Sequence, residues 1–312
     1  MACQPCLVTI VTPSYNSAQF IEETILSIKN QTYPHIEHII MDGGSTDNTL
    51  DVIRKYEGTY NLRWVSQPDE GQSDAINKGW RQASGAVLCW LNSDDVYLPS
   101  AVAAAVRFLE DNPEISLLYG DCNTIDEHGG VTGKYPASDF SLKRILCQEN
   151  MVPQPAAFWR REVLDKVGFL DVELYYTMDL DYWIRTSLAG LSLKYSPQLL
   201  ANFRVYPQTK TESGGYKAAL ERLAITDKVF SGANPGKEVS AFKGRAYAYA
   251  HYLIGVNYHM QAQMKSARAH LFRSLKYHPQ NIFNVSLMGH LITSFFGRGL
   301  LEALIRYKSR LT

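Results

Sequence analysis

An α/β fold around a mostly parallel central sheet is what this chain predicts, on three observations. Through the first half, short runs rich in Val, Ile, Leu and Trp alternate with amphipathic segments. That rhythm is the pattern of βαβ units, whose helical crossovers leave neighbouring strands parallel. Four successive strand candidates also end in clusters of Asp, Asn, Ser and Gly, the residue types of loops gathered at the carboxyl edge of such a sheet. At 312 residues, 46% hydrophobic and 20% charged, the chain can bury a sizeable core as one large domain or as a large and a small one.

The elements follow in order. Strands are expected at LVTIVT (7–12), IEHIIM (36–41), LRWVSQ (62–67), AVLCWLN (86–92) and ISLLYGD (115–121). Between them AQFIEETILSIKN, NTLDVIRKYEG, SDAINKGWRQA and PSAVAAAVRFLED carry apolar residues near helical spacing. Ser73 suits an N-cap, and Pro99 suits a first helical turn. HGGVTGKYP reads as a turn or hairpin and AAFWRREVLDKVG as a strand running into a helix. LYYTMDLDYWIRTSLAG follows, then a last strand, LSLKYSPQ. The polar, Gly-bearing stretch PQTKTESGGYK (207–217) is the clearest linker, so the division expected is 1–212 for the α/β domain and 213–312 for a helical region.

Bulk properties exclude some classes. Lys+Arg 31 against Asp+Glu 31 leaves no net charge, which argues against a nucleic-acid binder working through a broad basic face. Cys3, Cys6, Cys89, Cys122 and Cys147 are odd in number and scattered, so a disulfide framework is not expected and a reducing compartment is. Cys3 and Cys6 form a CxxC without a second pair to complete a zinc site. MACQPCLVTIVT has no basic leader region, and a cytoplasmic location follows as the expectation.

The strand-end clusters are TPSYN (12–16), DGGSTD (42–47), PDEGQSD (68–74) and NSDD (92–95). Any one of them reads equally well as a turn plus a helix cap. Four on one rim point to a polar cleft. The last is the sharpest, because Asp94 and Asp95 put two like charges against the end of an apolar run. A cation there, or chemistry that needs a base, would account for them; capping of the next helix by Asp95 is the local alternative.

VTPSYN (11–16), MDGGSTDNT (41–49), EGQSDAINKG (70–79), WLNSDD (90–95) and MDLDYWIR (178–185) together resemble the family 2 glycosyltransferases, in the family's order and over about residues 7–210. The resemblance implies a GT-A fold and an inverting enzyme that takes a sugar from a nucleotide donor, most simply a UDP-sugar. The acceptor it implies is a glycan or lipid-linked glycan of polysaccharide or cell-envelope biosynthesis. It implies that Thr12, Pro13, Ser14, Tyr15 and Asn16 border the nucleotide base and that Asp42 hydrogen-bonds its uracil edge. Gln72, Asp74 and Asn77 would line the ribose and sugar. Asn92, Ser93 and Asp94 occupy the place of the family's Asp-x-Asp metal motif, and Asp179 the place of its catalytic base. Three positions depart from the pattern: Asn92 replaces the first acid, Met178 stands where many members have Glu, and Tyr206 stands where relatives often carry His.

The chemistry fits those residue types. A nucleoside diphosphate leaving group gains charge as the sugar–phosphate bond breaks, and Mn²⁺ or Mg²⁺ held by hard oxygens offsets it. Asp94 and Asp95 are the candidate ligands. In-line attack by an acceptor hydroxyl needs a base opposite the leaving group. Asp179 and Asp181, two apart at the start of a helix, face different ways, and one can pair with Arg185 at i+4. Spacing alone leaves the choice open; the resemblance picks Asp179. Gln154 and Trp159 could border the acceptor, although a Trp in an apolar run is more often a core residue. Arg204 and Lys210 could bind the diphosphate or stay solvated.

In the last hundred residues, AYAHYLIGVNYHMQAQMKSARAHLFRSLKYHP resembles one tetratricopeptide-like hairpin, with Gly255, Tyr258, Ala267, Leu271 and Pro279 at its spacings. A single repeat is expected to pack on the catalytic domain or pair with a second copy. NIFNVSLMGHLITSFFG (281–297) is too short and polar to span a bilayer. With Arg298, Arg306, Lys308 and Arg310 beyond it, the segment suits either a helix lying on a membrane surface or a core helix with a basic end. Two rivals remain: a catalytically degenerate nucleotide-sugar-binding relative, and a dinucleotide oxidoreductase. The second lacks a GxGxxG after the first strand.

Overall fold

The computed structural model describes residues 5–210, 214–232 and 235–296. Two compact units are present, the first formed by residues up to Leu142 and Asn150–Thr209, the second by Lys143–Glu149 and the chain from Lys210.

The first unit carries β1 (Val8–Ser14), α1 (Ile21–Lys29), β2 (Ile36–Asp42), α2 (Thr49–Arg54), β3 (Leu62–Ser66), α3 (Gln72–Gln82) and β4 (Val87–Trp90). These are the expected βαβ units, and β3, β2, β1 and β4 lie side by side with parallel pairing. Then come β5 (Val96–Tyr97), α4 (Ala101–Asp111), β6 (Leu117–Ile125), β7 (Val131–Lys134), β8 (Ala157–Arg160), α6 (Arg161–Val167), α7 (Met178–Leu188) and β9 (Leu193–Arg204); α5 (Leu142–Cys147), between β7 and β8 in the chain, belongs from Lys143 onward to the second unit. The sheet order is β3-β2-β1-β4-β8-β6-β9-β5, with β7 a hairpin on β6. β8 runs antiparallel to both β4 and β6, while β9 runs parallel to β6. The entry into β8 and the exit from β9 therefore lie at the carboxyl edge of β4, beside the ends of β1 and β2. β9 runs further than LSLKYSPQ, with register shifts opposite Asp121 that carry it past Pro197.

Two cores flank the parallel strands. Ile21, Ile25, Ile40, Val52 and Ile53 join α1, α2 and β2. Elsewhere Trp80 of α3, Trp90 of β4, Trp159 of β8 and Trp183 of α7 form one cluster with ring centroids 5.4–5.9 Å apart, and all four are buried. Edge-to-face contacts of this kind are favourable beyond the area they bury. Helix α3 sits close on β1 because position 79 is glycine: a Cβ there would fall 2.5 Å from Val11 Cγ1.

Two end signals behave differently from expectation. Helix α3 begins at Gln72 behind Gly71, whose φ of +111° suits only glycine, and the Ser73 hydroxyl donates to Leu174 O at 3.3 Å instead of capping. Pro99 lies just before α4, which starts at Ala101.

The second unit contains the helices Gly215–Ser231, Lys237–Ser240, Lys243–Met260, Met264–Tyr277 and Val285–Phe296. Lys243–Met260 and Met264–Tyr277 form the expected hairpin. Gly255 packs on Leu271, Ala267 and Leu271 are fully buried, and Ala262 makes the turn at φ +59°. No helix among the described residues is long and apolar enough to cross a membrane.

One buried titration marks the first unit. His38 is buried between Thr12 Oγ1 at 2.9 Å and the Tyr60 hydroxyl at 2.6 Å, and burial lowers its pKa from 6.5 to about 3. The imidazole is neutral when folded, whereas the unfolded chain takes up a proton below pH 6.5. Stability from this site is complete above that pH and declines as pH falls from about 6.5 towards 3. Acidification from pH 7 to pH 5 should cost about 2 kcal/mol here, and urea titrations at both values should find that loss reduced in His38→Gln.

Candidate functional site

The loop after β2 is built around Asp42. Its carboxylate accepts from Gly44 N at 3.0 Å, Ser45 N at 2.9 Å, Ser66 Oγ at 2.7 Å and Ser45 Oγ, and the residue is 2% exposed. Asn16, at φ +48°, accepts from Thr46 N at 2.8 Å, and its own N–H donates to Ser45 Oγ at 2.7 Å. The ends of β1 and β2 are thus tied together. Beside them Tyr15 is 64% exposed, and the buried Ser14 hydroxyl has no hydrogen-bond partner among the described residues. Pro13 lies buried within β1.

From β1 the rim continues to β4 through Ser17 and Ser93, whose hydroxyls are 2.8 Å apart. Asn92 then acts as a hub. It accepts from Gln72 Nε2 at 2.6 Å, and its amide donates at 3.1 Å to both Asp95 Oδ2 and Gln154 Oε1. Gln154 in turn donates to Trp90 O at 2.8 Å. An amide where the family pattern has an acid is therefore used to bind β4, α3 and the entry of β8 to one another.

The adjacent acids have separate jobs. Asp95 is fully buried and accepts from the Arg204 N–H at 2.9 Å and from Asn92. Burial, with Asp94 beside it, raises its pKa well above the usual carboxylate range. Expected as a metal ligand, Asp95 is an internal strut with both oxygens in use. Asp94 is half-buried, and Tyr206 Oη donates to its Oδ2 at 3.4 Å. Burial and then the Asp94 charge raise the Tyr206 pKa to about 12, which keeps that hydroxyl a donor. Among the described residues no three His, Cys, Asp or Glu side chains are grouped to hold a metal. Asp94 as a hard oxygen ligand still fits a cation whose remaining ligands include a diphosphate.

Arg204 is also not a diphosphate ligand. Fully buried, it donates from Nε to Asp94 O at 2.9 Å and from Nη1 to Asp126 O at 3.0 Å and Glu127 O at 3.1 Å. Its Nη2 pairs with Glu23 at 2.5 Å, and its guanidinium lies 4.6 Å from the centre of the Phe20 ring.

At α7 the two acids have different partners. Asp181 is buried and bonds Arg185 Nε at 2.7 Å, the anticipated i+4 pair. Asp179, in the first turn, is half-buried and accepts from Asn150 Nδ2 at 3.2 Å. Asn150 precedes Gln154 on the same segment, so Asp179 joins the edge that carries Asn92 and Asp94. Sequence reasoning missed Asn150, which has neither motif nor periodicity to mark it.

Other expected site residues are used inside the fold. Thr12 is fully buried and bonded to His38. Asn77 is 3% exposed, and both ends of its carboxamide are bonded to Leu170 at 2.9 Å. Asp74 pairs with Lys78 at 2.8 Å and accepts from Glu70 N. Trp159 is fully buried in the tryptophan cluster and offers no face to a sugar. Lys210 belongs to the second unit.

A family model described as Glycosyl transferase family 2 matches residues 9–168. An uncharacterized glycosyltransferase of Mycobacterium tuberculosis is 33% identical over 184 residues, spanning 58% of this chain and 69% of its own. The PGL/p-HBAD biosynthesis glycosyltransferase of Mycobacterium bovis is 29% identical over 205 residues, spanning 64% of this chain and 77% of its own. Among solved structures, S. aureus TarS 1-349 in complex with UDP-GlcNAc is similar with a TM-score of 0.67 at 16% identity, over 93% of this chain and 89% of that one. Against a longer TarS chain the TM-score is 0.64 at 18% identity, and the match spans 54% of its length. Mannosyltransferase PcManGT from Pyrobaculum calidifontis, in complex with GDP-Man and Mn2+, has a TM-score of 0.62 at 19% identity over 93% and 86% of the two chains. These likenesses place the fold among GT-A glycosyltransferases.

Removing Arg204 would orphan carbonyls from two loops and the Glu23 carboxylate together. Leaving a buried carbonyl without its donor typically costs about 1–3 kcal/mol. Arg204→Met should lower unfolding stability by about that amount in urea titration.

Proposed function

The chain belongs to glycosyl transferase family 2, and on that premise we propose that it transfers a sugar with inversion from a nucleotide donor, a UDP-sugar, to a glycan or lipid-linked acceptor. A divalent cation, Mn²⁺ or Mg²⁺, assists. The observation that carries this reading is the sorting of acids along the sheet edge. Asp42, Asp95 and Asp181 are buried against internal partners, while Asp94, bonded to Tyr206, and Asp179, bonded to Asn150, are half-buried on segments linked through Asn92, Gln154 and Asn150.

In this reading Asp94 and the donor's diphosphate hold the cation, which as a Lewis acid offsets charge on the leaving group. Asp179 takes the proton of the acceptor hydroxyl as that oxygen attacks the anomeric carbon from the side opposite the diphosphate. Asn150 fixes the carboxylate's direction through its amide. The exposed Tyr15 ring suits the flat face of a base, with Ser93 close to the phosphates. The saturated Asp42 acts by holding its loop rigid, and Gln72 and Asn92 keep the α3 and β4 ends in register. The neighbours' UDP-GlcNAc and GDP-Man motivate a donor panel containing both nucleotides.

A peripheral role at the inner face of a membrane is proposed for the helix Val285–Phe296, where Val285 is 86%, Phe295 61% and Phe296 67% exposed. The basic residues Arg298, Arg306, Lys308 and Arg310 lie outside the described residues. Liposome flotation should be stronger for the full chain than for a Phe295→Ser, Phe296→Ser variant; equal flotation removes this part of the reading.

Asp179→Asn should lower transfer by roughly 10²–10⁴-fold while calorimetry finds UDP–Mn²⁺ binding close to wild type. Asp94→Ala should weaken UDP binding and abolish its dependence on Mn²⁺. Unchanged affinity and metal dependence in Asp94→Ala would refute the cation site, and retained transfer in Asp179→Asn would refute the base.

A further inference from the structure

The helical unit contains a cavity of about 590 Å³, within the size range of small-molecule sites. Lys143, Arg144, Arg245 and His278 line it, and no Asp or Glu does among the described residues. Arg144 is already paired with Glu149 at 2.8 Å. Lys143 and Arg245 make no hydrogen bond or ion pair among the described residues. They reach the cavity from segments about a hundred positions apart in sequence, Leu142–Cys147 and Lys243–Met260. Burial and then the Arg245 charge lower the His278 pKa, which places the guanidinium's field at this wall. Unpaired cations sharing a concave wall without a counter-charge favour an anion.

The rest of the lining narrows the ligand. Tyr249 and Tyr252 contribute aromatic faces, and Gln280 and Asn284 contribute neutral donors and acceptors that suit hydroxyl groups. Tyr252 is held in place by its contact with the Ser286 hydroxyl at 2.8 Å. A fork-shaped Arg beside a Lys matches phosphate oxygens, and aromatic and amide surfaces match a polyol or sugar ring.

We propose that this cavity binds a phosphate-bearing carbohydrate, with Lys143 and Arg245 on the phosphate and Tyr249 and Tyr252 against the sugar. The site lies wholly within the helical unit and stands whether or not the transfer chemistry above is correct. Calorimetry of the full chain tests it, with glucose 6-phosphate, glucose and inorganic phosphate as probes. Glucose 6-phosphate should bind, glucose should not, and inorganic phosphate should bind more weakly. Affinity for glucose 6-phosphate should fall at least about tenfold in Lys143→Gln, Arg245→Gln, the loss of one charged hydrogen bond or more. It should be retained in Lys143→Arg, Arg245→Lys and in Asp94→Ala.

Wild-type affinity in the glutamine variant overturns the proposal. So does loss of binding in Asp94→Ala with none in the glutamine variant, which would assign the ligand to the first unit. Charge-dependent binding to phosphatidylglycerol vesicles without any to glucose 6-phosphate also overturns it, in favour of a lipid headgroup. The two positions are exposed and have no ion pair among the described residues, so the glutamine variant should keep the wild-type thermal midpoint.

Discussion

The buried Arg204 guanidinium fastens the end of β9 beneath the turn that follows β4, and the geometry of the candidate site depends on that fastening. A guanidinium carries five donors in a fixed fork, so one side chain can satisfy loops from several elements. Here it reaches Asp94 O, Asp126 O, Glu127 O and Glu23, while its backbone N–H holds Asp95. A lysine would present one compact charge and could not reproduce that set of directions. The adjacent carboxylates make sense in this setting: Asp95 anchors the turn from inside, and Asp94 beside it is half-buried against Tyr206.

The same division recurs around the rim. At α7 Asp181 turns inward to Arg185, whose guanidinium also serves Val167 O and Phe169 O, and Asp179 is left on the other face. At β2, Asp42 gives its oxygens to its own loop and to Ser66 at the end of β3. Like charges crowded at an edge would repel, and committing most of them to donors removes that cost and stiffens the loops. Below the rim, the tryptophan cluster joins α3, β4, β8 and α7 into one slab, so the segments carrying Asn92, Gln154 and Asp179 share a rigid base. Reactive groups held on packed elements keep their geometry better than groups on free loops.

The helical unit follows another logic. Its imidazoles pair with one another, His251 with His270 at 3.1 Å and His259 with His290 at 3.2 Å, and burial lowers the pKa of each. Neutral imidazoles can share a proton between ring nitrogens, which two cations could not. Cationic character gathers instead around the cavity, on Lys143 and Arg245.

The strands, the helices between them and the concentration of acids at strand ends were legible in the sequence, because hydrophobic period and turn chemistry are set by residues a few positions apart. Family motifs added the order of the site. Which acid of each pair faces outward was decided by tertiary structure alone. Asp95 is claimed by a partner 109 positions away, and the Arg204–Glu23 contact that holds this partner in place spans 181. No local pattern encodes such distant pairing. For the same reason the buried settings of Asn77, bonded to Leu170, and of Trp159, in the tryptophan cluster, and the contact of Asn150 with Asp179 showed only once the chain had folded.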